Sequence, residues 1–145
     1  MRTVVIGVGN PYRRDDGLGP AVADLLCGRG IEVAQSLGET TDLIELWQGA
    51  DLAVVVDAVR ADPARPGRIH RLTVADPPPA AASSHGPGLG EAIELARVLE
   101  RLPGRLVLYA VEVAEVGHER GLTPAVADTA RRLAERIVTE VSRCA

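Results

Sequence analysis

Phenylalanine is absent from this chain, tryptophan occurs once and tyrosine twice. Stacking platforms for single-stranded nucleic acid are excluded on that count. Lysine is also absent, so all sixteen basic residues are arginine, against twenty acids and a net charge of −4. No basic block stands out, and a phosphate backbone is a poor partner for such a chain. Cysteine is scarce: Cys27 and Cys144 lie far apart with no C-x-x-C pair, the pattern of reduced thiols in a cytosolic protein. No stretch reaches about 18 continuous apolar residues, and the start "MRTVVIGV" enters a strand pattern without a signal-peptide core. The expectation is a cytoplasmic protein with no membrane segment, and a monomer, since no large exposed apolar stripe is apparent.

What is present is aliphatic. Apolar residues make up 46% of the 145 positions, enough for one domain, 1–145, with a core of Val, Leu, Ile and Ala. Val4 to Val8 is a short apolar run without polar alternation, as in a strand buried on both faces. Pro20 suits a first helical turn, where its missing N–H has no intrahelical partner, and Val22, Leu25 and Leu26 follow at helical spacing up to Gly28 and Gly30. "IEVAQSL" reads as a second strand. "TTDLIELWQG" reads as a helix capped by Thr41 or Asp42 and stopped by Gly49. Leu52 to Asp57 is the strongest strand, "GRIHRLTV" a fourth and "RLVLYAVEV" a fifth.

"GLGEAIELARVLERL" predicts an amphipathic helix ending at Pro103 and Gly104. The last helix has Thr123 at its N-cap, Pro124 at its first position and a stripe of Val126, Ala130, Leu133 and Ile137. Alternation of strands and helices predicts an α/β fold, with helices on both faces of a mostly parallel five-stranded sheet. Only about ten residues join strands three and four, too few for a helical crossover. A hairpin is expected there, and hence a mixed sheet.

The stretch "VVIGVGNPYRRDDGLGP" (4–20) raises the functional question. Gly7 and Gly9 begin a dinucleotide-binding G-x-G-x-x-G, but Tyr12 stands at the third glycine and no acid closes strand two. No nucleotide cofactor is expected. Asp15 and Asp16 share a turn after strand one, where both suit the positive end of a helix. Asp57 follows an apolar run and must be paired if buried, with Arg60 a structural option. In a sheet ordered 2-1-3, the strand order reverses between strands one and three, and ligands bind at the carboxyl ends there. Asp16 and Asp57 would face that crevice, with Asn10 at its floor. His85, in the Pro-, Ser- and Ala-rich loop 75–87, would add an imidazole. Two carboxylates and one imidazole form a mixed cation site that does not select one metal. His70 and His118 read as solvated, although His118 could approach the same end of the sheet.

Four blocks, "GVGNPYRRDDGLGP", "VVVDAV", "SSHGPGL" and "GLTPAV", in this order and at these separations, resemble the nickel–iron hydrogenase maturation proteases over nearly the whole chain. The resemblance implies a three-layer α/β/α sandwich and an endopeptidase. Such an enzyme removes a C-terminal extension from a hydrogenase large-subunit precursor after nickel insertion. It implies that Asp16, Asp57 and His85 contact the metal, and that the nickel is supplied by the precursor. It also links Gly38 and Thr40, in the turn after strand two, to substrate recognition, and Asn10 at the crevice floor is expected to bind substrate beside them. Asp16 stands where the family often has Glu, a reach one methylene shorter, and Glu39 stands where a second glycine is common. For the chemical step, Asp16 or Asp57 would act as general base on water, or the substrate's metal would polarise the carbonyl or the water. A non-catalytic nickel-sensing or chaperone-like binding protein would use the same three residues.

Overall fold

The computed structural model describes residues 1–73, 88–114 and 116–144. The chain runs β1 (Thr3–Val8), a 3-10 turn (Arg14–Gly17), α1 (Leu18–Leu26), β2 (Glu32–Ser36), α2 (Thr40–Trp47), β3 (Leu52–Arg60), β4 (Ile69–Thr73), α3 (Gly88–Val98), β5 (Arg105–Val113) and α4 (Pro124–Cys144). The five strands form one sheet in the order β2-β1-β3-β5-β4. All neighbours are parallel except β4, which lies antiparallel to β5.

Alternation along the strands sorts the aliphatic side chains into two cores. On one face Val5, Leu52, Val54, Val56, Val107 and Val111 pack against α1 and α4, through Leu18, Val22, Leu26, Val126, Ala130, Leu133 and Ile137. On the other face Val4, Ile6, Val8, Ala53, Val55 and Leu106 meet α2 and α3, through Leu43, Ile44, Trp47, Leu89, Ala92 and Ala96. Two helices therefore cover each face, and the layers are α/β/α as expected. With no phenylalanine to fill volume, Trp47 is the largest fully buried side chain. Its indole Nε1 has no hydrogen-bond partner among the described residues.

Three local expectations are corrected. β3 does not close at Asp57 but runs on to Arg60, because β5 continues to pair with it through Arg60↔Val113. α2 starts at Thr40 with Glu39 at its N-cap position, and no side chain there caps it. Strands β3 and β4 do not form a hairpin: β5 lies between them. Their short connector instead passes across the end of β5. There the Gly67 N–H donates to the Glu112 carbonyl at 2.9 Å and the Glu112 N–H to the Arg68 carbonyl at 2.9 Å. The sheet is still mixed, since the connector delivers β4 to the far side of β5 in reverse.

Candidate functional site

The strand order reverses between β1 and β3, so a crevice opens beyond their carboxyl ends. Pairing of β1 with β3 stops at Gly7↔Val56, whereas β3 and β5 stay paired for four more positions. Asp57 is thus the first residue of β3 past the last β1 pair. It is only 5% exposed and is not an unpartnered carboxylate. Val56 and Ala58 belong to the α1/α4 core and Val55 to the α2/α3 core, so alternation assigns Asp57 to the α2/α3 side.

Glycines bring the other half of the crevice close. A Cβ on Gly19, in the first turn of α1, would lie 2.3 Å from the Val8 carbonyl oxygen and 2.6 Å from that of Val56. The helix start is therefore wedged against both strand ends. Gly9, at φ +139°, turns the chain back so tightly that its Cβ would fall 1.9 Å from the Asp16 carbonyl oxygen. Only glycine fits such an approach in that conformation.

Within the loop, the Asn10 N–H donates to Asp16 Oδ2 at 2.9 Å and Asn10 Oδ1 accepts from the Tyr12 N–H at 2.9 Å. The backbone of Asn10 thus steadies Asp16 while its side-chain oxygen closes a local turn. Asp16 is half-buried, and the 3-10 turn that carries it packs on β3, the strand of Asp57. Asp15 behaves differently from its neighbour. It is 1% exposed and both its oxygens are taken by Thr123, from the N–H to Oδ1 and from the hydroxyl to Oδ2, each at 2.7 Å. The sequence pointed Asp15 toward the first helix; the structure commits it to the entry of the last. The signal was present in the Thr123-Pro124 pair at the entry of α4, but nothing local couples that pair to residue 15.

Gly38 follows β2 at φ +95°, its N–H donating to Ser36 Oγ at 2.9 Å. Thr40 opens α2 at the same end of the sheet. The Gly9 N–H donates to the Ser36 carbonyl at 2.9 Å, so the β1 and β2 loops are joined. The expected residues Asn10, Asp16, Gly38, Thr40 and Asp57 therefore lie on neighbouring segments at the carboxyl end of β2, β1 and β3. His85 lies outside the described residues. Among the described residues no group of three or more His, Cys, Asp or Glu side chains is arranged to hold a metal ion.

The other two histidines diverge from one another. His118 is exposed, in the loop after β5, and lines a cavity of about 260 Å³ with Arg14, Val116, Gly117 and Glu119. His70 is not a solvated strand residue. Its Nε2 meets Oε2 of buried Glu112 at 2.7 Å, and the Arg65 N–H donates to Oε1 at 3.1 Å. That pair ties β4 and the connector to β5, and it belongs to the scaffold.

No helix of the described residues is long and apolar enough to cross a membrane. A family model described as HycI, hydrogenase maturation protease, matches residues 38–140. The chain is also similar to solved structures. The hydrogenase maturating endopeptidase HybD from E. coli shares 20% identity at a TM-score of 0.79, over 99% of this chain and 94% of that one. An endopeptidase from Escherichia coli shares 22% identity at a TM-score of 0.85, with the same coverage. The [NiFe] hydrogenase maturation protease HybD from Thermococcus kodakarensis shares 21% at 0.73, over 97% and 99%. At these identities the likeness speaks for the fold, while the family match speaks for descent. No curated protein matches the chain.

Proposed function

The chain belongs to the hydrogenase maturation protease family, and from that premise we propose that it is an endopeptidase acting on the large-subunit precursor of a [NiFe]-hydrogenase. It removes the precursor's C-terminal extension once nickel is in place. The observation that carries this reading is the convergence of the Asp16 loop and the Asp57 strand at the β1/β3 reversal point, where sheets of this kind bind ligands.

The nickel is part of the substrate. Asp16, Asp57 and His85 engage it in the loaded precursor, and a precursor without metal lacks that anchor. Discrimination follows from the difference in affinity between the two forms. The donor set suits such an anchor, since two carboxylates and an imidazole accept a borderline transition-metal ion and leave positions for the substrate's own ligands. Anchoring also positions the scissile peptide in the crevice, an effect that can supply several kcal/mol of the barrier.

Water is the nucleophile. One of the two carboxylates takes its proton as the oxygen bonds to the scissile carbonyl carbon. The proton passes to the departing amine as the C–N bond breaks. Asn10, Gly38 and Thr40 border the substrate's path at the mouths of β1 and β2.

Asp57→Asn and His85→Ala are expected to stay folded and to abolish processing of a nickel-loaded precursor. Processing is scored by gel mobility and by the mass of the shortened C-terminus. Normal cleavage by both variants removes the assignment. A stable complex between the wild-type chain and an unshortened precursor assigns a binding role on the same residues instead.

A further inference from the structure

We propose that Thr123 is a positioning residue for Asp16, acting through Asp15, so that the loop after β5 is a working part of the site. The inference rests on the role of Asp16 stated above.

Asp15 and Asp16 are adjacent on one 3-10 turn, and of the two only Asp16 is left half-exposed. A carboxylate as buried as Asp15 is costly unless each oxygen finds a donor. Both donors come from one residue, and two parallel charge-assisted bonds fix the plane of the carboxylate as well as its place. Thr123 immediately precedes Pro124, the first residue of α4. The helix dipole therefore adds to the attraction for Asp15. Helix α4 cannot follow a wandering loop, because Val126, Ala130, Leu133 and Ile137 anchor it in the core.

A second strap lies one residue away. Arg14 sits at φ +54°, a left-handed conformation that a non-glycine residue adopts only when something holds it there. It is held there by its N–H, which donates to the Glu119 carbonyl at 2.7 Å, and by its guanidinium, 3.2 Å from Glu119 Oε2. The loop 116–123 thus grips residues 14 and 15 in succession, and the next residue is Asp16. The Asn10 N–H completes the cradle from the other side. Asp16 is in this way preset by contacts that are already made within the chain.

The test compares Thr123→Val, which keeps the N–H and loses the hydroxyl, with Thr123→Ser, which keeps both. Both are full-length chains assayed on nickel-loaded precursor well below their melting temperatures. Thr123→Val is expected to lower kcat/KM about tenfold or more per folded molecule, the scale of a misplaced reacting group, while Thr123→Ser restores most of it. The Asn10 amide resonance, a direct reporter of Asp16, is expected to move in Thr123→Val and not in Thr123→Ser. A folded Thr123→Val with wild-type kcat/KM and an unmoved Asn10 amide overturns the inference.

If Thr123→Val does not fold, isosteric Asp15→Asn takes its place. It is expected to show the same two changes to a lesser degree, and their absence overturns the inference equally. Failure of the wild-type chain to shorten any loaded precursor is a separate result. It removes the function of Asp16 itself, and this inference with it.

Discussion

Most of the polar side chains buried in this aliphatic interior have a definable partner, and those partners decide how the protein answers to acid. Glu112 is the clearest case. The His70 hydrogen bond holds its carboxyl below the usual carboxylate range, against the upward push of burial, with help from the Arg65 N–H and the Arg68 charge. Glu140 is held low chiefly by Arg71, which meets both its oxygens, at 3.0 and 3.1 Å. A carboxyl whose pKa is depressed on folding stabilises the native state fully above its unfolded value, about 4.3. That contribution is lost as the pH falls through the lower folded value. Thermal melts followed by circular dichroism are therefore expected to show a falling midpoint below about pH 5, in the range where carboxyls titrate. Glu112→Gln is expected to melt lower at pH 7 but to lose less on acidification, and parallel curves for the two proteins would break the assignment. None of this pairing is written locally. His70 reads as one polar residue among arginines, and its partner is 42 positions away, brought near only because β4 pairs with β5. Asp15 and Asp16 pose the same problem. The turn announces two carboxylates, but which one is structural depends on Thr123, at a separation of 108.

Elements were more legible than residues wherever the cause of an element is local. β1 and β5 follow from apolar runs between turn residues, and α4 from Thr123-Pro124 and its 3.6-residue stripe. The end of β3 was misread because an aspartate after five apolar residues looks like a boundary, whereas its pairing with β5 overrides that cue. The absent hairpin has a similar origin. Connector length constrains which strands can be neighbours, but the position of β5 is settled by the whole sheet. Glycine spacing carried more than it disclosed: Gly7 and Gly19 are where β1 and α1 touch backbone to backbone. A Cβ on Gly7 would lie 2.2 Å from the Gly19 carbonyl oxygen, and one on Gly19 2.5 Å from the Val8 nitrogen. These are main-chain atoms and cannot swing aside. Gly19→Ala is accordingly expected to cost at least about 2 kcal/mol in urea unfolding and to spread the crevice. Gly90 is the control, for it lies within α3 with nothing within 4 Å of an added methyl. Gly90→Ala is expected to raise stability by roughly 0.5–1 kcal/mol. Equal losses from both substitutions would show that close approach is not what Gly19 provides.

For the molecule as a whole, the order 2-1-3 at the heart of the sheet was the expectation on which the site rested, and the structure has that order. Right-handed crossovers between alternating strands and helices narrow the arrangements open to such a chain, but no residue pattern in it selects this order, which was assumed rather than read. The same topology sets a gradient of rigidity across the site. β3 is buried from Leu52 through Val59 and has parallel partners on both sides. β2 and β4 are the sheet edges, and their residues are mostly half-buried or exposed. Amides of the central strands should therefore exchange only when the molecule unfolds globally, and those of the edges through smaller openings. Asp57 sits on the stable strand, whereas Asp16 sits on a loop held by hydrogen bonds to Asn10, Thr123 and Glu119 through its neighbours. Hydrogen exchange read by mass spectrometry is expected to rank peptides from β3 and β5 slowest, those from β2 and β4 faster, and the segment 9–17 between the two. Exchange in 9–17 as slow as in β3 would mean that the clamp to α4 is as strong as the sheet itself. Exchange as fast as at the edges would mean that Asp16 is ordered only when a precursor arrives, and that the site is half preset and half assembled by its substrate.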